Sequence, residues 1–158
     1  MPVEQVRAYL DRWGKGKDII EMDISTATVE LAAAAHGVIP ARIAKSMALR
    51  YGDGGALMVV TAGDTKIDNK KFRGHFGFKP KMLSPEETLE QTGHAIGGVC
   101  PFALPPGLDV YLDVSMKRFK TVFPACGSGN SAIELTPDEL EKYSQSKGWV
   151  DVCVIVAS

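Results

Sequence analysis

The sequence predicts an α+β fold in a single domain, built on a mixed or antiparallel sheet. Three observations carry this. Helical and strand-like segments are interspersed without a regular βαβ repeat, several strand-like segments are joined by short Gly-rich turns, and 158 residues suit one domain. A chain of this length buries roughly 70% of its unfolded surface, enough for a core without a second domain.

The elements follow in order. Pro2 to Trp13 carries Val3, Val6, Tyr9, Leu10 and Trp13 at helical spacing and stops at Gly14. Asp18 to Ile24 has apolar Ile19, Ile20, Met22 and Ile24 and predicts a short strand. Thr28 can cap a following helix, Glu30 sits where the helix dipole favours negative charge, four alanines form its body, and Gly37 supplies a left-handed stop. From Ile43 the pattern alternates, with Ile43, Lys45, Met47, Leu49 and Tyr51 on one face. The run Gly52-Asp53-Gly54-Gly55 then turns the chain into the apolar segment Ala56 to Ala62, predicting an antiparallel hairpin.

Gly63 to Asp68 closes the hairpin and leads into a polar helical segment through Phe72, followed by a loop over Arg73 to Phe78. Ser84-Pro85-Glu86-Glu87 is a capping box opening a helix from Pro85 to about Thr92, with Gly93 as its stop. Strands are predicted at Asp109 to Asp113, Thr121 to Ala125 and Ser131 to Leu135. Thr136-Pro137-Asp138-Glu139 opens a second capped helix to about Gln145, and Trp149 to Ala157 reads as one buried strand.

Within this frame Lys45 is the first site candidate. It shares a strand face with apolar residues, and a partly desolvated ammonium interacts strongly with a nearby carbonyl or phosphate. The plainer alternative is a strand-end lysine whose stem packs while its amine reaches water. The turn His94-Ala95-Ile96-Gly97-Gly98-Val99-Cys100-Pro101-Phe102 has adjacent glycines that let backbone approach a ligand with amide donors exposed, or that serve the turn alone. Cys126-Gly127-Ser128-Gly129-Asn130 is a second such turn. His94 reads as a solvent-exposed turn residue sooner than as a base that orients water.

Composition bounds the function. Hydrophobic residues make up 45% and charged residues 23%, and the net charge of −1 gives no global basic field. Basic residues do cluster, at Lys66, Lys70, Lys71, Arg73, Lys79 and Lys81 and again at Lys117, Arg118 and Lys120, as solvated faces or as one local basic surface. Cys100, Cys126 and Cys153 are odd in number and widely spaced, which suits reduced thiols in the cytoplasm and no zinc site. No stretch approaches the roughly 18 apolar residues of a membrane span, and no signal-like segment opens the chain. Secretion and membrane insertion are not expected.

Several pieces in order along nearly the whole chain resemble the YbaK family of aminoacyl-tRNA deacylases, related to the editing domain inserted in bacterial prolyl-tRNA synthetases. They are the alanine-rich helix from Thr28, Ile43-Ala44-Lys45-Ser46, Thr61-Ala62-Gly63-Asp64, Gly97-x-x-x-Pro101-Phe102, and Gly127-Ser128-Gly129-Asn130 with the helix start at Thr136. The resemblance implies a mixed, mostly antiparallel, barrel-like sheet wrapped by helices, with a pocket between the lysine strand and the Gly97 turn. It implies hydrolysis of the ester joining a small, wrong amino acid to tRNA, tRNA(Pro) first among the acceptors, with neither metal nor other cofactor; the sequence does not fix the oligomeric state, for which a monomer is the default. The partners would be the mischarged tRNA and, beyond it, an aminoacyl-tRNA synthetase. Lys45 would place the tRNA end or the carbonyl, and the amides of Gly97 and Gly98 would hold the developing oxyanion. Ile24, Met47, Ile96, Pro101, Phe102, Gly127, Ser128 and Asn130 would shape the substrate pocket.

Rival chemistries are weaker. A Cys100 nucleophile with His94 as base lacks an identifiable orienting group, and Lys45 and Ser46 point to opposite strand faces, which disfavours a Ser-Lys dyad. A module that binds a tRNA end or nucleotide without turnover, a synthetase accessory, or an esterase that ignores RNA are the alternative functions.

Overall fold

The computed structural model describes residues 2–52 and 54–156. Helix α1 spans Pro2–Leu10, and the three residues after it form a tighter 3-10 turn ending at left-handed Gly14. Strand β1 is only Ile20–Glu21, shorter than the pattern suggests. Helix α2 runs Val29–His36: Thr28 Oγ1 accepts from Leu31 N at 3.1 Å, and Gly37, at φ +67°, donates its N–H to Ala33 and Ala34 carbonyls. Strands β2 (Ile43–Arg50) and β3 (Ala56–Ala62) form the expected hairpin, with Lys45 opposite Thr61. Asp53 of its turn lies outside the described residues, as does Ala157 at the end of the last expected strand.

Beyond the hairpin, β4 (Thr65–Ile67) leads directly to α3 (Asn69–Phe76), capped by Asp68. The expected loop over Arg73 to Phe78 is therefore helical through Phe76. Phe72, fully buried, packs against Phe76 and Phe78, so burial of this aromatic cluster outweighs the weak helix preference of Gly74. Helix α4 (Pro85–Thr92) has its capping box from Ser84, and α5 (Pro137–Ser144) has one from Thr136.

The central sheet is mixed, in the order β6-β2-β3-β5-β8, where β5 is Asp109–Asp113, β6 Phe123–Pro124 and β8 Gly148–Val150. Its long β2–β3 pairing is antiparallel, whereas β2–β6, β3–β5 and β5–β8 are parallel. Strand β1 pairs antiparallel with β7 (Ser131–Ala132), and β4 with β9 (Cys153–Ile155). The terminal apolar run is thus two strands in two sheets rather than one. Buried Asp113 makes the break: its carboxylate accepts from Val152 N at 2.9 Å and Ser115 N at 3.0 Å.

The largest core cluster lies on the Ala44 side of the hairpin and includes Met58, Val60, Phe102, Leu112 and Ile133. Leu49, Leu57 and Val59 pack with Phe72 and Val152 on the Lys45 side. One edge of β2 is covered unevenly. β6 covers Ile43 and Ala44, and at the far end Arg50 N bonds Lys81 O at 2.8 Å while Leu83 N bonds Ala48 O at 3.1 Å. Between these, residues 45–47 have no strand neighbour on that side among the described residues.

Candidate active site

A cleft of about 180 Å³ opens at this uncovered edge. Its floor is β2 from Ile43 to Ser46. One wall is α2 with the segment that precedes it, Thr26 to Val29 and Ala32, and the opposite wall is Ile96, Gly97 and Val99 together with Ser131 and Ala132. The alanines explain the close approach of α2: Ala32 and Ala33 are buried against Ile43 and Phe123. Gly63 holds the other end of this contact, since a side chain there would run into Pro40 and Val29.

Lys45 forms the boundary of the cleft. Its side chain is half-buried, and Nζ donates to Thr65 O at 3.0 Å. That carbonyl is fixed by a buried hydroxyl network in which Thr61 Oγ1 and Thr65 Oγ1 lie 2.6 Å apart and Thr65 Oγ1 donates to Ala62 O at 2.8 Å. On the same turn Asp64 forms a two-pronged ion pair with Arg118, at 2.6 and 3.1 Å. That hydrogen bonding, with the nearby Lys45 charge adding to it, holds the Asp64 carboxyl below its ordinary pKa. The ammonium is thus oriented by a carbonyl, and the adjacent carboxylate is committed to Arg118.

Gly97 lines the cleft opposite. Its φ of +96° is strained for other residues, and a Cβ would stand 3.1 Å from Ala27 Cβ. The neighbouring Gly98 has a different part. Its N–H is engaged by Ala95 O at 3.0 Å, so it is not a free oxyanion donor, and its missing side chain lets it sit against the Gly127-Ser128 peptide, where a Cβ would be 2.7 Å from Gly127 C. Among the described residues the Gly97 amide makes no such bond.

The remaining expected pocket residues divide. Ile96 lines the cleft and is 62% exposed. Ile24 is also exposed but is absent from the cleft lining, and Met47 lines a separate groove on the far side of Lys45. Pro101 borders another depression beside Tyr9, and Phe102 is fully buried in the main core. These last two are corrections with one cause: the chain dives into the core directly after Val99. Gly127, Ser128 and Asn130 act behind the wall rather than on it. Asn130 Nδ2 donates to Met22 O at 2.8 Å, Met22 N donates to Asn130 O, and Ser128 Oγ lies 2.7 Å from Ser131 Oγ. This turn therefore clamps the segment leading to α2 and orients Ser131.

Thr26, Ala27, Thr28, Ser46 and Ser131 also line the cleft, although the sequence names none of them as a pocket residue. Thr28 and Ser46 lie within quoted motifs, and the other three stand just beside them. Ser46 Oγ is buried and has no hydrogen-bond partner among the described residues. Strand alternation from Ala48 and Arg50 also points the Ser46 N–H and C=O to the open edge.

His94 is buried, not exposed as its turn position suggests. Nε2 lies 2.8 Å from Phe102 O and 3.5 Å from Cys100 Sγ, so the two rival residues do meet. They meet in the core, where burial pushes the Cys100 thiol up to about 12 and the His94 pKa down. A fully buried neutral thiol is a poor nucleophile, and this pair supports the turn.

Comparison with known proteins places this geometry. The sequence profile of the aminoacyl-tRNA editing domain matches residues 24–143. The chain belongs to the aminoacyl-tRNA editing domain family. It is 58% identical over 153 residues to the uncharacterised protein YwhH of Bacillus subtilis (strain 168), covering 97% of this chain and 98% of that protein. A crystal structure described as a candidate trans-editing enzyme for prolyl tRNA synthetase superposes with a TM-score of 0.85 at 30% identity, covering 96% of each chain. A scaffold protein used for computational epitope grafting superposes with a TM-score of 0.86 at 26% identity over 96% of each. In this editing domain the lysine strand and the Gly97 turn line one cleft, with α2 beside them.

Proposed function

We propose that the protein is a trans-acting aminoacyl-tRNA deacylase that hydrolyses the ester of a small, wrongly attached amino acid, with tRNA(Pro) the first acceptor to test. The single observation that supports this most strongly is the meeting of Lys45 and Gly97 at one small cleft in a chain of the editing-domain family. A relative described as a candidate trans-editing enzyme for prolyl tRNA synthetase supports the choice of acceptor.

In this reading the aminoacyl group enters between α2 and Val99, where alanines and Ile43 leave room for a small side chain. Water adds to the ester carbonyl, the Gly97 amide donates to the oxyanion that forms, and the acyl C–O bond breaks to release the ribose hydroxyl, which takes up a proton. Lys45 anchors the ribose-phosphate end or the carbonyl, so that the ester is presented in one orientation. Ser46 and Ser131 supply polar contacts to the amino group or attacking water. A translation substrate places the protein in the cytoplasm.

The test is release of amino acid from a panel of correctly and wrongly charged tRNAs. One mischarged species should be hydrolysed well above its spontaneous rate, and its KM should rise with salt as phosphate contacts are screened. Salt-insensitive hydrolysis of simple amino acid esters would instead favour an esterase, and tRNA binding without release a binding module.

A further inference from the structure

On the side of Lys45 away from the cleft lies a second groove, about 260 Å³, whose apolar floor is Met47, Ile67, Pro80 and Met82. Met82 is 55% exposed, and Asn69 adds an amide at one end. Lys45 belongs to both cavities, because Ile43, Lys45 and Met47 follow one another on the same face of β2. The groove rim is charged. Lys66 lines it, and exposed Lys79 and Lys81 flank Pro80 in the chain. None of these three lysines makes an ion pair among the described residues. By contrast Lys71 pairs with Asp151, Arg118 with Asp64 and Arg50 with Glu87. Lys66, with Lys79 and Lys81 beside lining residue Pro80, thus places ammoniums without ion pairs next to an apolar floor that adjoins the acyl cleft.

An apolar floor ringed by lysines suits an unpaired nucleotide, whose base lies on polarisable thioethers and stems while its phosphates meet the ammoniums. A duplex presents no free base face to such a floor. We propose that this groove binds the single-stranded 3′ end of the tRNA, with a base on the Met47-Met82 floor and its two flanking phosphates at Lys66 and Lys81, one at each, while Lys45 bridges to the ester in the cleft. The inference rests on the deacylase reading for the identity of the RNA, but its test needs no ester.

Anisotropy of a labelled, uncharged acceptor-stem hairpin, with and without its single-stranded 3′ end, provides the measurement. Wild-type protein should bind the overhanging hairpin at least tenfold tighter than the blunt one. Met82→Asp and the pair Lys66→Ala with Lys81→Ala should erase that difference and leave blunt binding unchanged, and the lysine pair should lower the salt slope by about 1.4 for two single-strand phosphates. These side chains are exposed, so unchanged thermal midpoints serve as the folding control. Equal loss for both hairpins, no preference for the overhang in wild type, or full retention of the preference in the variants would each overturn the groove assignment. Retained preference in variants beside active wild-type deacylation would remove the groove alone. Overhang-dependent binding without any deacylation would remove the enzyme reading and leave the groove.

Discussion

Lys45→Ala removes the amine that both cavities share, and the expected result is a fall in deacylation of at least about 100-fold, the scale of one well-placed charged group in a transition state. The fold should hardly notice, since the lost protein contact is one hydrogen bond to Thr65 O, about 1 kcal/mol by denaturant unfolding. Gly97→Ala should cost about 1–2 kcal/mol through its positive φ and crowd Ala27 with a methyl group in the cleft, lowering activity further than stability. Cys100→Ser should keep activity, and a soluble alkylating reagent should leave native Cys100 unmodified until the protein unfolds. At this scale the sequence exposes Lys45, Gly97 and Ile96 as cleft residues, because alternation and glycine chemistry are local. It does not expose that Phe102 is core or that Gly98 is a packing glycine, because both depend on what lies across the molecule.

Elements with complete local signals form as read. Thr28, Ser84 and Thr136 all cap their helices, and in both boxes the Glu at the third position returns to the cap N–H. Ser84→Ala and Thr136→Ala should each cost about 1 kcal/mol in thermal or urea unfolding, with deacylation unchanged. Where tertiary contacts decide, the pattern misleads. Helix α3 persists through Phe76 for its aromatic cluster, and β8 and β9 part at Val152 because a carboxylate from β5 takes its amide. Asp113→Ala leaves the buried Val152 N–H and the half-buried Ser115 N–H unpaired, and a loss of about 2–4 kcal/mol is the expected outcome of urea titration, the largest of these element-level changes.

For the whole molecule, the mixed α+β character is visible in the spacing of elements, whereas the sheet order is not. The parallel pairings of β3 with β5 and β5 with β8 join segments far apart in sequence that no turn chemistry specifies. Global stability carries a signature of the three buried thiols. Burial raises Cys100 to about 12 and Cys153 to about 11, and raises Cys126 well above the usual value of 9.0. The unfolded chain loses these protons first, so between about pH 9 and 11 it binds fewer protons than the native state. Stability present below pH 9 should therefore decline as pH rises through that window, in thermal midpoints recorded across it, and Cys153→Ala should make the decline shallower. On the acid side Asp64 and Glu139 have lowered values, Asp64 from its Arg118 bonds and Glu139 from the Thr136 N–H it accepts. Their contribution is present above the ordinary carboxyl range and is lost as pH falls through their depressed values.

The central claim is that one cleft, bounded by Lys45 and Gly97, cleaves the aminoacyl ester. Single-turnover release from the mischarged tRNA the wild-type protein prefers, repeated with Lys45→Ala at saturating protein, tests it most directly. Loss of the chemical rate constant in a variant that melts like wild type is the predicted result. An unchanged rate constant in that variant would contradict the account and remove Lys45 from the site.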